Sequence, residues 1–156
     1  MLFVFFITSV FILASTIGYG LLIKKIIGFR KLDYNYGLIG LLGLFFLSII
    51  SSYTHLILPH GYFHNIVIIL IGLISLILFK KKIKESPKYL FIVFSLLFLC
   101  ILLSKNNEDF GYYHLPNSLQ FAQQKLQFGL GNINHGFKHI SSLFMLMSLH
   151  YLPIFE

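Results

Sequence analysis

The sequence predicts an all-α fold: a polytopic transmembrane helical bundle of about four to five spans, with an amphipathic interfacial helix in an outer loop. Three observations predict it. The 156 residues are 57% hydrophobic and only 11% charged, with a mean hydropathy of +0.84, whereas a water-soluble domain carries roughly a quarter charged residues. The apolar residues come in long runs, and about 20 of them at 1.5 Å each cross a hydrocarbon core. Most of the twelve basic residues fall in two clusters between those runs: Lys24, Lys25, Arg30 and Lys31, then Lys80, Lys81, Lys82, Lys84 and Lys88. A net charge of +7 placed in this way sets topology. A nucleic-acid footprint would interleave its cations with surface polar groups. The expected partner is therefore the lipid bilayer, and no nucleic acid.

Residues 1–104 are read as four transmembrane helices. The first run, 2–23, has no basic residue before it and four after it, the reverse of a secretory signal peptide. It is expected to be an uncleaved span with its N-terminus outside. The second span, 37–58, carries Gly37, Gly40 and Gly43 at three-residue intervals, a groove for a neighbouring helix. It becomes more polar at Ser48, Ser51, Ser52, Thr54 and His55, and breaks at Pro59-His60-Gly61. The third covers 63–79, and the fourth, 89–103, is short for a crossing. Cys100 lies inside that fourth run; as the single cysteine it makes no internal disulfide and reads as a small buried hydrophobe. The basic loops at 24–33 and 80–88 are separated by two crossings, so they share one side, which the positive-inside rule makes the cytoplasm. A multi-pass protein of the cell inner (plasma) membrane follows, with the 105–139 loop outside.

That outer loop is the one long polar stretch. Pro116 suits the first turn of a helix, Leu115, Leu119, Ala122 and Leu126 follow helical spacing, and Gly129 is placed to end it. An amphipathic helix over 116–127 is expected, either lying on the membrane with its apolar row down or capping the bundle. Residues 140–156 turn apolar again and read as the start of a fifth span. The chain is accordingly expected to be the N-terminal portion of something longer.

Glu108 and Asp109 follow the fourth span directly. A carboxylate beside apolar surroundings can act as a base toward a hydroxyl, and a solvated pair marking a helix end is the plain alternative. Tyr112, Tyr113 and His114 add aromatic faces and an imidazole, as interfacial anchors or as a hydrogen-bonding site. His60, His64, His114, His135 and His139 all fall outside on this topology. However, no HExxH or comparable carboxylate–histidine spacing accompanies them, so no metal ligands are assigned.

In order, this stretch holds Glu108-Asp109, then Tyr113-His114-Leu115-Pro116, a helix, and Gly129-Leu130-Gly131-Asn132. It resembles the first outer loop of GT-C-type glycosyltransferases, multi-spanning enzymes that use polyprenyl-phosphate-linked sugars. More narrowly, it is similar to a branch of bacterial membrane proteins with an Asp-x-Gly-x-Tyr-His run, matched here by Asp109, Gly111, Tyr113 and His114. The resemblance covers about residues 89–156. It implies a catalytic base at Asp109, with Glu108 second, and substrate-binding roles for Tyr113, His114, Lys125 and Asn132. It implies no certain cofactor, although a divalent metal held by an acidic residue fits it, and the implied partner is a polyprenyl-phosphate sugar donor. Two features depart from the family: its members have more spans, and outer cations number only Lys105, Lys125 and Lys138. A non-enzymatic accessory or assembly subunit is the alternative. A transporter would call for ionisable residues within the spans, where only His55 and His150 qualify.

Overall fold

The computed structural model describes residues 2–28, 35–80, 83, 85–105, 108–127, 129–132 and 141–152. All regular structure among them is helical, as expected: α1 (Leu2–Ile27), α2 (Tyr36–Ile57), α3 (Tyr62–Phe79), α4 (Pro87–Leu103), a π-helical turn (Phe110–His114), α5 (Leu115–Gln123), a 3-10 turn (Leu130–Asn132) and α6 (Ser142–Ser148). Helices α1, α2 and α3 are long and apolar enough to cross a membrane, and α4, with 17 residues, is shorter. The burial pattern agrees with a bilayer. Large apolar side chains such as Phe3, Leu41, Phe45, Phe63 and Ile77 face outward, while Ser15, Thr16, Ser51, His55, Asn65 and Ser75 are buried. In water such an apolar exterior would drive aggregation. In lipid it is the expected exterior, and the polar groups must then be satisfied inside. Thr8, Thr16, Ser52 and Thr54 each donate to the carbonyl four residues earlier, at 2.8–2.9 Å.

The chain forms two compact units. The first comprises residues 1–46 and 69–106. Its core is Ile17, Leu21 and Ile39, with Leu13, Tyr36, Leu76 and Leu90 packed against it. Glycine permits the closest approaches. A Cβ on Gly18 would run into the Gly72 carbonyl of α3, one on Gly20 into the Ile39 carbonyl of α2, and one on Gly43 into the Thr16 carbonyl of α1. Of the three glycines expected to form a groove, Gly43 alone makes such a crossing. Among the described residues, Gly40 has only the Ile17 side chain at 3.9 Å, and Gly37 meets only the side chain of its near neighbour Asn35. Phe6 packs its ring against Phe91, Phe94 and Phe98 of α4 at centroid distances of 5.0–6.2 Å.

Helix ends follow local chemistry. α1 continues to Ile27, past the expected boundary at 23, so Lys24 is buried and Lys25 sits 4.6 Å over the Phe79 ring, a cation–π contact. Gly28 closes the helix at φ +75°, with its amide on the Lys24 carbonyl, the left-handed cap that glycine adopts freely. Asn35 Oδ1 accepts from the Leu38 amide at 2.7 Å, and Glu85 Oε2 accepts from the Tyr36 amide at 2.8 Å; both satisfy open N–H groups at the start of α2. Ser86 caps α4 ahead of Pro87. Cys100, expected to be buried, is exposed on that helix.

The second unit comprises residues 47–68 and 107–156. α5 packs on α6 and on the π-helical turn, around Phe121, Phe144 and Met145. The helix is shorter than expected, ending at Gln123, and it is turned differently. Of the expected apolar row, Ala122 is buried but Leu115 is exposed, and the other buried residues, Asn117, Ser118 and Phe121, lie off that row. Gly129 does not end this helix. At φ +88° it starts the next turn, where its carbonyl accepts from the Asn132 amide. Of the expected fifth crossing, the described residues hold the seven-residue α6; residues 133–140 and 153–156 lie outside them.

Candidate functional site

Two constellations lie in the second unit. The first is the expected one. Residues 110–114 form a π-helical turn, with the Leu115 amide reaching back to the Phe110 carbonyl. Such i→i+5 turns are rare and concentrate at functional positions. Here the turn is held by polar side chains of α5: Asn117 Nδ2 donates to the Tyr113 carbonyl at 2.7 Å, and Ser118 Oγ donates to the His114 carbonyl at 2.9 Å. Both helix residues are buried, which explains why α5 turns a polar pair inward. Tyr113 and His114 are brought together on one ring, each 5.2 Å from the Phe144 centroid. Asp109 precedes the turn with its side chain exposed, and Glu108 is exposed beside it. Lys125 and Asn132 are exposed as well. The arrangement offers a solvent-facing carboxylate one helical turn ahead of a fixed imidazole.

The second constellation was not assembled from the sequence. His55, His60 and His64 lie in a row, with ring centroids 5.1 Å and 4.9 Å apart. His60 is fully buried in the turn between α2 and α3 and lies between two hydroxyls, Thr54 Oγ1 at 3.0 Å from Nε2 and Ser148 Oγ at 2.6 Å from Nδ1. Asn65 Nδ2 donates to the carbonyls of His60, Ser148 and Tyr151 at 2.8–2.9 Å. The backbone completes the clamp, from the His60 amide to the Phe121 carbonyl and from the Leu126 amide to the His55 carbonyl. His55 is 0% exposed, packs its ring on Phe121 at 4.7 Å, and has neither ring nitrogen hydrogen-bonded. The signal available in the sequence was His60 and His64 at i, i+4 with Asn65 beside them, opening an otherwise apolar span.

This row does not form a metal centre. His60 and His64 stack within 6° of parallel, which keeps their lone pairs from converging on one point. Among the described residues no three His, Cys, Asp or Glu side chains gather as metal ligands. His135 and His139 lie outside the described residues.

Burial first, then the neighbouring His64 and His55, push the His60 imidazole down from 6.5 to about 3. The unfolded chain therefore takes up a proton below pH 6.5 that the folded chain refuses until about pH 3. His60 contributes its full stability above pH 6.5 and loses it progressively as the pH falls toward 3. Between pH 7.5 and pH 5 that loss is about 2 kcal/mol, at 1.36 kcal/mol per pH unit below 6.5. Thermal unfolding of wild type and His60→Gln in detergent at the two pH values checks it. The wild type should lose stability on acidification by that margin more than the variant, and equal losses would remove His60 as the cause.

One protein family, described as a domain of unknown function (DUF8201), matches residues 1–155. The chain belongs to the DUF8201 family. Comparison of this DUF8201 chain with curated proteins and with solved structures finds no match.

Proposed function

We propose that this DUF8201 chain is an integral membrane glycosyltransferase-like protein that uses a polyprenyl-phosphate-linked sugar, with Asp109 as the base. The observation that carries the reading is the folding of the Asp109-x-Gly-x-Tyr-His run into one π-helical turn. The turn leaves the carboxylate exposed at its head and fixes His114 on Phe144. A base must reach the acceptor hydroxyl, and a group stabilising the lipid-phosphate leaving group must not wander. Residues 47–68 share a unit with 107–156. This supports keeping the 58–61 turn and the polar segment on one side of the membrane. The lysine loops, assigned to the cytoplasm by their charge, make that side the outer face of the plasma membrane in this reading, with the N-terminus outside as well.

The test is Asp109→Asn in the longest natural form of the protein, scored for sugar transfer from a polyprenyl-phosphate pool in membranes. Loss of a general base is expected to lower transfer by about 100-fold or more, with insertion and expression unchanged. Wild-type transfer in Asp109→Asn would exclude Asp109 as the base. A second reading, a non-enzymatic accessory subunit, is favoured by Phe110, Tyr112 and Leu115. They stand exposed around the same turn and would dock a partner. It moves ahead if the unmutated protein transfers nothing.

A further inference from the structure

The first unit contains a slot whose chemistry changes from one end to the other. A partly open cavity of about 360 Å³ is lined by Val10, Ala14 and Ile17 of α1, Leu76 of α3 and Phe94 of α4, with Lys80 at its end just past α3. This volume lies in the range of small-ligand sites, roughly 300–1,000 Å³. Val10 to Ile17 and Pro87 to Phe94 are each seven steps along a helix, so the apolar walls run about 10 Å at 1.5 Å per residue. Lys80, Pro87 and Tyr36 all belong to helix ends at the lysine-loop side. Lys80 is exposed, while the Glu85 carboxylate beside the slot is bonded to the Tyr36 amide. Lys25, over the Phe79 ring, adds a second cation at the same ends of α1 and α3.

We infer that this slot holds one acyl chain of an anionic glycerophospholipid, with the lipid phosphate paired to Lys80. A purely apolar groove would accept any lipid tail, and a second cavity of about 520 Å³ in the same unit has that character. Its lining, Leu2, Phe3, Phe6, Ser95, Phe98, Leu99 and Leu102, offers no charge. The Lys80 slot instead combines a hydrocarbon-sized trough with a cation where the headgroup level falls. Basic pockets between helices on the cytoplasmic side recognise anionic lipids in this way. The inference rests on the membrane reading and not on any transferase chemistry.

The experiment is native mass spectrometry of the full natural chain released from nanodiscs containing equal phosphatidylglycerol and phosphatidylcholine. The wild type is expected to retain one phosphatidylglycerol at least tenfold more often than phosphatidylcholine. Lys80→Gln, a change at an exposed position that leaves the fold in place, should reduce that preference to about twofold or less. Ala14→Leu, which fills the trough, should lower retention of both lipids while Lys80 remains. Equal retention of the two lipids by the wild type overturns the inference, as does an unchanged preference in Lys80→Gln. Displacement of phosphatidylglycerol by a polyprenyl phosphate added in equimolar amount would also overturn it, since the occupant would then be an isoprenoid. Sugar transfer is read separately, so failure here leaves the Asp109 proposal standing.

Discussion

Gly18→Val is expected to cost at least about 3 kcal/mol, the top of the usual range for overpacking. The obstacle is backbone. A Cβ at position 18 lands on the Gly72 carbonyl of α3, and a Cβ on Gly72 in turn lands on Ser15 of α1. A clash with the tip of a flexible side chain relaxes by rotamer change, but here the two helices must separate. Separation would forfeit the small-residue contact that drives helix association in lipid, where apolar burial between helices gains little over lipid tails. Gly37→Ala is the control, since among the described residues its Cβ meets only the Asn35 side chain at 3.9 Å and it should stay within about 0.5 kcal/mol of wild type. Unfolding of the purified protein in detergent, followed by helical signal against temperature, separates the two. A Gly18→Val protein as stable as Gly37→Ala would show that α1 and α3 do not approach at this point.

That pair of variants also marks where sequence reading stops. Length and hydropathy placed α1 to α4 within a few residues, because the thickness of a bilayer and the location of lysines are properties of the chain itself. Pro59 and Gly61 gave the limit between α2 and α3 for the same reason, whereas Pro87, inside the expected loop at 80–88, opens α4 instead. Which glycine meets which helix is a different question. Gly37, Gly40 and Gly43 drew notice by their regular spacing, yet the tight crossings also use Gly18, Gly20 and Gly72, single residues whose partners lie in other helices. α5 shows the converse. Its apolar periodicity pointed to the Leu115 row, but the residues turned inward include Asn117 and Ser118, whose side chains donate to the Tyr113 and His114 carbonyls and so bury without unpaired polar groups. Of the expected site, the order Asp109 to His114 was legible as a motif, and the ring of Phe144 that holds its far end was not. His60 and His64 were visible together as outer histidines, and His55 was read apart from them as part of the second span. The residue that ties their turn to α6, Asn65, was not singled out, because an amide inside a hydrophobic run acquires meaning only from the carbonyls around it.

Asn65→Asp should be the most damaging isosteric change in the second unit. The amide is fully buried, and its Nδ2 faces the carbonyls of His60, Ser148 and Tyr151 while its Oδ1 lies 3.1 Å from His64 Nδ1. Three acceptors around one atom identify that atom as the nitrogen, since an NH2 offers two protons and an oxygen none. An ionised aspartate keeps the shape and removes every proton, leaving three carbonyls facing a buried anion. Each unsatisfied buried group costs about 1–3 kcal/mol, and more when charge is involved, so a loss of about 4 kcal/mol or more is expected. The loss should be local in its first expression. Hydrogen exchange of the full chain in detergent should rise in residues 58–65 and 141–152, which the amide ties together, while α1 and α4 keep their protection. Asn65→Leu, close to asparagine in size, should show the same regional opening with a smaller loss, because it leaves carbonyls unpaired but buries no charge. If Asn65→Asp exchanged like wild type in both segments, the three amide bonds would not be what holds the turn to α6. The histidine row would then need another anchor.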